Sequence, residues 1–276
     1  MERAAVEAFF DHERPEVVIL AAGRVGGIIE NQARGADFIA ENLAIQLNVF
    51  GAAQKTNVQR LVFFASSCMY PQECVQPMRE DALLSGKPEP TSLPYAISKL
   101  AGVYACLAYN QQIGDDRFLP VIPNSTYGPN DNFDPLSAHV LAALIRRFAE
   151  ARRSNAPSIT LWGTGTPRRE FIHADDVADA CVFLLDADHS VNDLPINIGT
   201  GTDCSILELA GIVAGIVGFR GHIEWDSTKP DGAPRKLLDS SRLRSLGWGG
   251  PKIGLAEGIR TTFDWFLSRD REAISG

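Results

Sequence analysis

The sequence predicts an α/β fold built on a parallel sheet, as one domain or as one domain plus a lobe. Three observations carry that expectation. Short apolar runs, VVIL at 17–20 and LVFF at 61–64, are continuous rather than alternating, the pattern of strands covered on both faces. Long stretches that read as helices, 37–57 and 91–113, alternate with those runs, as crossovers between parallel strands must. The third is the stretch from Leu61 to Lys99, an apolar strand, a loop, and then YAISK opening a helix. Its spacing puts Tyr95 and Lys99 on one helix face.

Taken in order, residues 2–11 read as a short amphipathic helix and PEVVILAAG as a buried strand. The glycines that follow, Gly23, Gly26 and Gly27, stand where a phosphate-cradling loop is found in nucleotide-binding folds. That reading is rejected, because the next segment, IIENQARGADF, is a poor helix and offers no N-terminus to the glycines. After the helices and the strand already named, RFLPVIPNSTYGP reads as a strand with its exit turn, and SAHVLAALIRRF as a helix carrying His139 and, two turns on, Arg147. Leu161 to Asp176 holds Trp162, a Gly-x-Gly turn and the vicinal Arg168 and Arg169. FIHADDVADACVFLL is a strand, an N-cap candidate between His173 and Asp175, and a helix whose positive end Asp175 and Asp176 favour. From INIGTG onward come a further helix, the strand HIEW, the loop KPDGAPRKLLD and a terminal amphipathic helix.

Bulk properties narrow the function. A chain of 276 residues and 30.0 kDa buries a substantial core, and its net charge of -8 argues against nucleic acid as a partner. No apolar run reaches bilayer length, and the charged start MERAAVEAFFDHERPE is unlike a signal peptide, so a cytoplasmic protein is expected. Five scattered cysteines without a Cys-x-x-Cys read as reduced thiols rather than a disulfide framework or a zinc site, and no metal-ligand spacing occurs.

Chemistry concentrates around Tyr95. An ammonium beside a phenol favours the phenolate, so Lys99 is expected to lower the phenol's pKa from about 10 toward working pH. Ser66 and Cys68 stand where the preceding strand runs out, and open α/β sheets bind ligands at the carboxyl ends of their strands. The Tyr-x-x-x-Lys spacing alone also suits an ordinary exposed helix pair, and it is the serine upstream that turns the balance. Vicinal arginines are commonly a solvated pair, yet an arginine in a Gly-rich turn beside Trp can fork onto a phosphate.

Ser66, Tyr95 and Lys99 in this order resemble the catalytic set of short-chain dehydrogenases/reductases. The longer strings SSCMYP, PYAISKLAG, YGPNDNF, WGTGTPRREFIHADD and KPDGAPRKLLD resemble the GDP-L-fucose synthase family, NADP-dependent epimerase-reductases of the extended branch, over nearly the whole chain. The resemblance implies a Rossmann-like parallel sheet in residues 1–127 and a smaller C-terminal α/β substrate lobe mainly in 128–276, with segments returning to the sheet. It implies catalysis by Tyr95, Lys99, Ser66, Cys68 and His139. It places NADP against Phe64, Ala65, Ser66, Ser67, Lys99, Pro123, Asn124, Ser125, Thr126 and His139. The GDP-sugar falls to Arg147, Trp162, Arg169 and Asp231, with Lys236 near phosphate. The Gly26–Gly27 loop would lie near the nicotinamide and the sugar, and the helices at 37–57 and 91–113 would build a homodimer through a four-helix bundle.

Two departures from the family pattern stand out. The asparagine of the exit turn is Asn124, with Ser125 where the family usually has it. Set against that pattern, the Gly-rich fingerprint, about forty to fifty residues by the size of a βαβ unit, is missing, so the Rossmann-like sheet is expected to be N-terminally truncated with an exposed edge or groove. Rival readings are another nucleotide-sugar epimerase or dehydratase, against which Cys68 argues, and a cofactor-deficient remnant that only binds GDP-sugar.

Overall fold

In a computed structural model the described residues are 2–135, 137–187 and 194–275. In chain order the elements are α1 (Arg3–Glu13), β1 (Val17–Leu20), α2 (Ile28–Ala33), α3 (Gly35–Lys55), β2 (Arg60–Phe64), α4 (Leu93–Ile113), β3 (Phe118–Pro123), β4 (Ser125–Tyr127), α5 (Val140–Arg153), β5 (Ser158–Trp162), β6 (Arg168–Arg169), β7 (Phe171–His173), α6 (Ala174–Asp186), β8 (Ile196–Ile198), β9 (Cys204–Ser205), α7 (Ile206–Val217), β10 (His222–Asp226), β11 (Arg235–Lys236), α8 (Ser241–Ser245) and α9 (Leu255–Ser275). They group into two compact units, one of residues 1–124, 179–198 and 238–249, the other of 125–178, 199–237 and 250–276.

The first unit is built on a parallel sheet in the order β1-β2-β3-β8, with Val18 opposite Leu61, Leu61 opposite Phe118 and Val121 opposite Ile196. Its core joins Phe50, Leu61, Phe63 and Phe118, with Phe50 edge-on to both Phe63 and Phe118. Helix α4 starts with Pro94 in its first turn and ends at Gly114, whose φ of 68° lets its N–H return to the Asn110 carbonyl. Two sequence expectations need correction here. β1 is only partly buried: Leu20 lies in the core, while Val17 and Ile19, on one face of this edge strand, are 43% and 48% exposed because that face is left uncovered. IIENQA does form a helix, the six residues of α2, where Asn31 bonds back to the Gly26 and Gly27 carbonyls and a polar side chain supplies what propensity does not.

The second unit holds three small sheets, β10-β5, β11-β6-β9 and β4-β7. α5 buries Leu141, Leu144, Ile145 and Phe148, a helical stripe, and α7 opens with a capping box between Ser205 and Glu208. The N-cap expected around His173 is present, its Nδ1 accepting from the Asp175 N–H. Asp176 does more than favour the helix start: it is buried and accepts from the Lys252 and Ile253 N–H groups, pinning the segment before α9.

Candidate active site

β2 delivers Phe64, Ala65 and Ser66 to its carboxyl end, and the chain then makes a single 3-10 turn from Ser67 to Met69 that carries Cys68. Ser66 caps that turn, its Oγ accepting from the Cys68 N–H at 3.3 Å. Ser66 and Cys68 both lie close enough to Tyr95 to act on its phenol. Tyr95 and Lys99, one turn apart at the start of α4, are both buried. Lys99 Nζ donates to the Phe64 carbonyl at 2.8 Å and lies 5.1 Å from the Phe63 ring centre and 6.0 Å from that of Tyr95.

The loop after β1 closes over this ammonium. A Cβ on Gly23 would stand 3.2 Å from Lys99 Nζ and 2.9 Å from Asn42 Oδ1, so a side chain there would have to displace one of them. Asn42, buried in α3, clamps the loop: its Nδ2 donates to the Arg24 and Phe38 carbonyls and its Oδ1 accepts from the Arg24 N–H. Phe38 in turn meets Tyr95 edge to face, ring centres 6.3 Å apart. Sequence reasoning missed Asn42, although a polar residue one turn from Phe38 and one from Gln46 on a buried stripe was a readable signal.

Electrostatics reverse one expectation. Burial pushes the Tyr95 phenol well above the ordinary phenol range; neighbouring Cys68 adds to the rise and Ser66 opposes it. Lys99 does not lower it, because the ammonium is aimed at the Phe64 carbonyl. Burial instead lowers Lys99 itself, from 10.5 to about 8. A phenol in this setting keeps its proton at neutral pH.

At the exit of β3, Asn124 follows Pro123 and is buried, its Oδ1 accepting from the Ser67 hydroxyl at 3.3 Å and its N–H reaching the Ile198 carbonyl. Ser125 and Thr126 enter β4, paired with Phe171 and Ile172.

The second unit carries the other sequence candidates. His139 is exposed at the N-cap of α5. Arg147, two turns along, donates to the Thr160 carbonyl, and partial burial lowers its guanidinium. Trp162, at the end of β5, is 64% exposed with Lys229 Nζ 5.6 Å above its ring. Asp231 accepts from the Thr164 N–H at 2.9 Å and its hydroxyl at 2.7 Å, which holds the Gly163–Gly165 turn and keeps the carboxyl below its ordinary range. Arg169 donates to the Arg168 and Ala233 carbonyls, so its guanidinium stands against the Asp231 loop, and Lys236 pairs with Arg169 in register on β11. Arg168 is not a free surface partner: it is forked onto Asp203 and reaches Glu208. No group of three or more metal-ligating side chains occurs among the described residues.

Residues 1–199 match the NAD dependent epimerase/dehydratase family. The chain is 52% identical to GDP-L-fucose synthase 1 of Arabidopsis thaliana over 265 residues, spanning 96% of this chain and 81% of that protein. It is 48% identical to GDP-L-fucose synthase of Escherichia coli strain K12, spanning 98% of this chain and 86% of that one. Among solved structures, an NADP-bound GDP-L-fucose synthetase from Naegleria fowleri superimposes with a TM-score of 0.90 at 25% identity, covering 98% of this chain and 82% of that chain.

Proposed function

We infer the function from one premise: the chain belongs to the NAD dependent epimerase/dehydratase family and, within it, with the GDP-L-fucose synthases. It acts as an NADP-dependent epimerase and reductase that converts GDP-4-keto-6-deoxy-D-mannose to GDP-L-fucose. The observation that carries this reading is the cluster at the end of β2 in which Tyr95 and Lys99 are buried and Ser66 and Cys68 half-buried. That cluster fits the nicotinamide and ribose of NADP, since a buried ammonium, two hydroxyls and the close wall at Gly23 meet there. We assign its holding to Phe64, Ala65, Ser66, Ser67, Lys99, Pro123, Asn124, Ser125, Thr126 and His139. When bound, NADPH supplies a hydride to the carbonyl carbon.

Tyr95 delivers the matching proton to the ketone oxygen, and burial of the phenol keeps that proton in place before substrate binds. Lys99, while protonated, offsets the charge left on the phenolate. Ser66 holds the carbonyl oxygen by a hydrogen bond. In the epimerisation one group removes the proton alpha to the ketone and another returns a proton to the opposite face; Cys68 and His139 are the base and acid, a thiol and an imidazole having ordinary pKa values on either side of neutrality. Arg147, Trp162, Arg169 and Asp231, in the substrate-binding second unit, hold the GDP moiety. Tyr95→Phe tests the assignment in an assay of GDP-L-fucose formation: reduction is lost while GDP affinity by calorimetry stays, and equal turnover by the variant would refute it.

The same reading makes the protein a cytoplasmic homodimer. Leu47 on α3 and Leu93, Ile97 and Tyr104 on α4 are large apolar residues left between 39% and 53% exposed on two helices that pack on each other. Light scattering of Ile97→Asp should return a monomer mass where the parent chain returns a dimer; an unchanged mass removes these helices from the interface. No helix among the described residues is long and apolar enough to cross a membrane.

A further inference from the structure

We propose that the described residues 128–135, 137 and 138 form a preassembled mount for the His139 imidazole, with Phe133 and Arg146 as its positioning residues. The proposal rests on the proton-transfer role assigned above to His139. That side chain is exposed and makes no capping hydrogen bond at the start of α5, so the helix end itself does not fix where the ring stands.

The chain in front of it supplies the fixing. Asn132 Nδ2 donates to Ser137 Oγ at 2.9 Å, and Asn132 Oδ1 accepts from the Asp134 N–H at 2.9 Å. Asp134 Oδ1 accepts from both the N–H and the hydroxyl of Ser137, each at 3.1 Å, and the Asp134 carbonyl accepts from the Ala138 N–H at 2.9 Å. These bonds tie Asn132, Asp134, Ser137 and Ala138 to one another, up to the residue before His139. The carboxyl of Asp131, pushed up by burial, lies near enough to His139 to interact with it electrostatically.

Two contacts then tie the loop to its surroundings. The Phe133 ring stands 4.8 Å from that of Phe266 and 5.9 Å from that of Trp265, both on α9. The Phe133 carbonyl accepts from Arg146 Nη1 at 3.0 Å, and Arg146 is steadied by Glu150 at 2.7 Å through Nε. Arg146 lies on α5, so the helix that begins beside His139 reaches back to grip the loop that delivers it. Phe133 also lines a half-open cleft of about 590 Å³ together with Arg146, Phe263, Phe266 and Leu267. Loss of the Phe133 ring would remove both ring contacts with α9 and release the loop. Proton transfer falls steeply when a group is displaced by a fraction of an ångström to an ångström, which is why a mount of this kind affects rate more than binding.

The experiment compares Phe133→Ala, Phe133→Tyr, Arg146→Met and His139→Asn with the parent chain. Three quantities are read: solvent deuterium incorporation into GDP-4-keto-6-deoxy-D-mannose, GDP affinity by calorimetry, and the imidazole Cε1–H resonance of His139, assigned by its disappearance in His139→Asn. Phe133→Ala should lower the maximal exchange rate by about tenfold or more and move the His139 resonance, with GDP affinity held within about twofold. Phe133→Tyr should retain the rate because the ring stays, and Arg146→Met should show a smaller loss with a shift of the same resonance. An unmoved His139 resonance in both Phe133→Ala and Arg146→Met overturns the proposal whatever the turnover; should Phe133→Ala not fold, Arg146→Met decides alone. Exchange falling only in step with GDP affinity also overturns it. Wild-type exchange by His139→Asn would instead overturn the role of His139, a different failure from an inactive His139→Asn beside an unaffected Phe133→Ala.

Discussion

The proton-transfer candidates of the first unit and the exposed binding candidates of the second, Trp162 and Asp231, sit in different surroundings. In the first, Lys99 is 3% exposed and Tyr95 9%, and burial moves both: the ammonium down to about 8, the phenol upward. In the second, Trp162 is 64% exposed and Asp231 lies open to solvent, its carboxyl held low by the bonds from Thr164. The difference separates two tasks. Moving a proton requires groups whose affinity for it has been shifted, which low-dielectric surroundings accomplish. Holding a dianionic nucleotide requires charges that stay charged, which water and hydrogen-bond donors maintain.

The sharpest break of this contrast is Lys99→Met. Reduction should fall by about a thousandfold while GDP affinity is unchanged, and in the parent chain the rate should decline as pH rises through about 8, where the ammonium is lost. A pH profile whose alkaline limb lies near 10 would show that an ordinary phenol, not this lysine, is titrating.

Stability should show the same lysine from the other side. Its folded pKa of about 8 lies below the ordinary 10.5, so the folded chain binds fewer protons between those values and stability rises with pH there. The contribution is complete above about 10.5 and is lost as pH falls through about 8, a swing of about 3 kcal/mol. Urea unfolding of the parent and Lys99→Met below pH 8 and near pH 10.5 checks it, the gap between them moving in the parent's favour at the higher pH. A gap that stays constant would show that Lys99 is solvated.

Changes in the second unit should act on affinity instead. Arg169→Ala should weaken GDP binding by about 2 kcal/mol, the worth of a charge-assisted pair, and leave the rate at saturating substrate in place. Calorimetry with unchanged GDP affinity would remove Arg169 from the site. The smallest effect expected is Lys229→Ala, which removes one exposed cation over Trp162 and should alter unfolding stability by less than about 1 kcal/mol; a larger loss would mean that this surface is drier than its exposure indicates.

Much of the fold was legible because its signals are local. The helix from 91 to 113, expected from its pattern, is α4 from Leu93, and HIEW is the strand β10. The apolar run around Leu61 is a strand buried in the sheet, with Ser66 at its end as expected. Less legible were features set by distant partners. VVIL looks like any covered strand, yet Val17 and Ile19 are exposed because burial depends on what lies beside β1 rather than on its own residues. IIENQA has poor helical character in isolation and is held helical by Asn31 against Gly26 and Gly27.

By itself the sequence determined which reactive groups come together, since Tyr95 and Lys99 share a face at any helical four-residue spacing and Ser66 follows a strand that must end where it does. Only the tertiary structure decided how those groups behave. The sign of the Tyr95 shift, the aim of Lys99 at the Phe64 carbonyl and the Asn42 clamp that presses Gly23 over the ammonium depend on burial and on contacts between residues far apart in the chain. Spacing specifies adjacency along one element; the dielectric around a charge is a property of everything packed against it, and it exists only once the chain has folded.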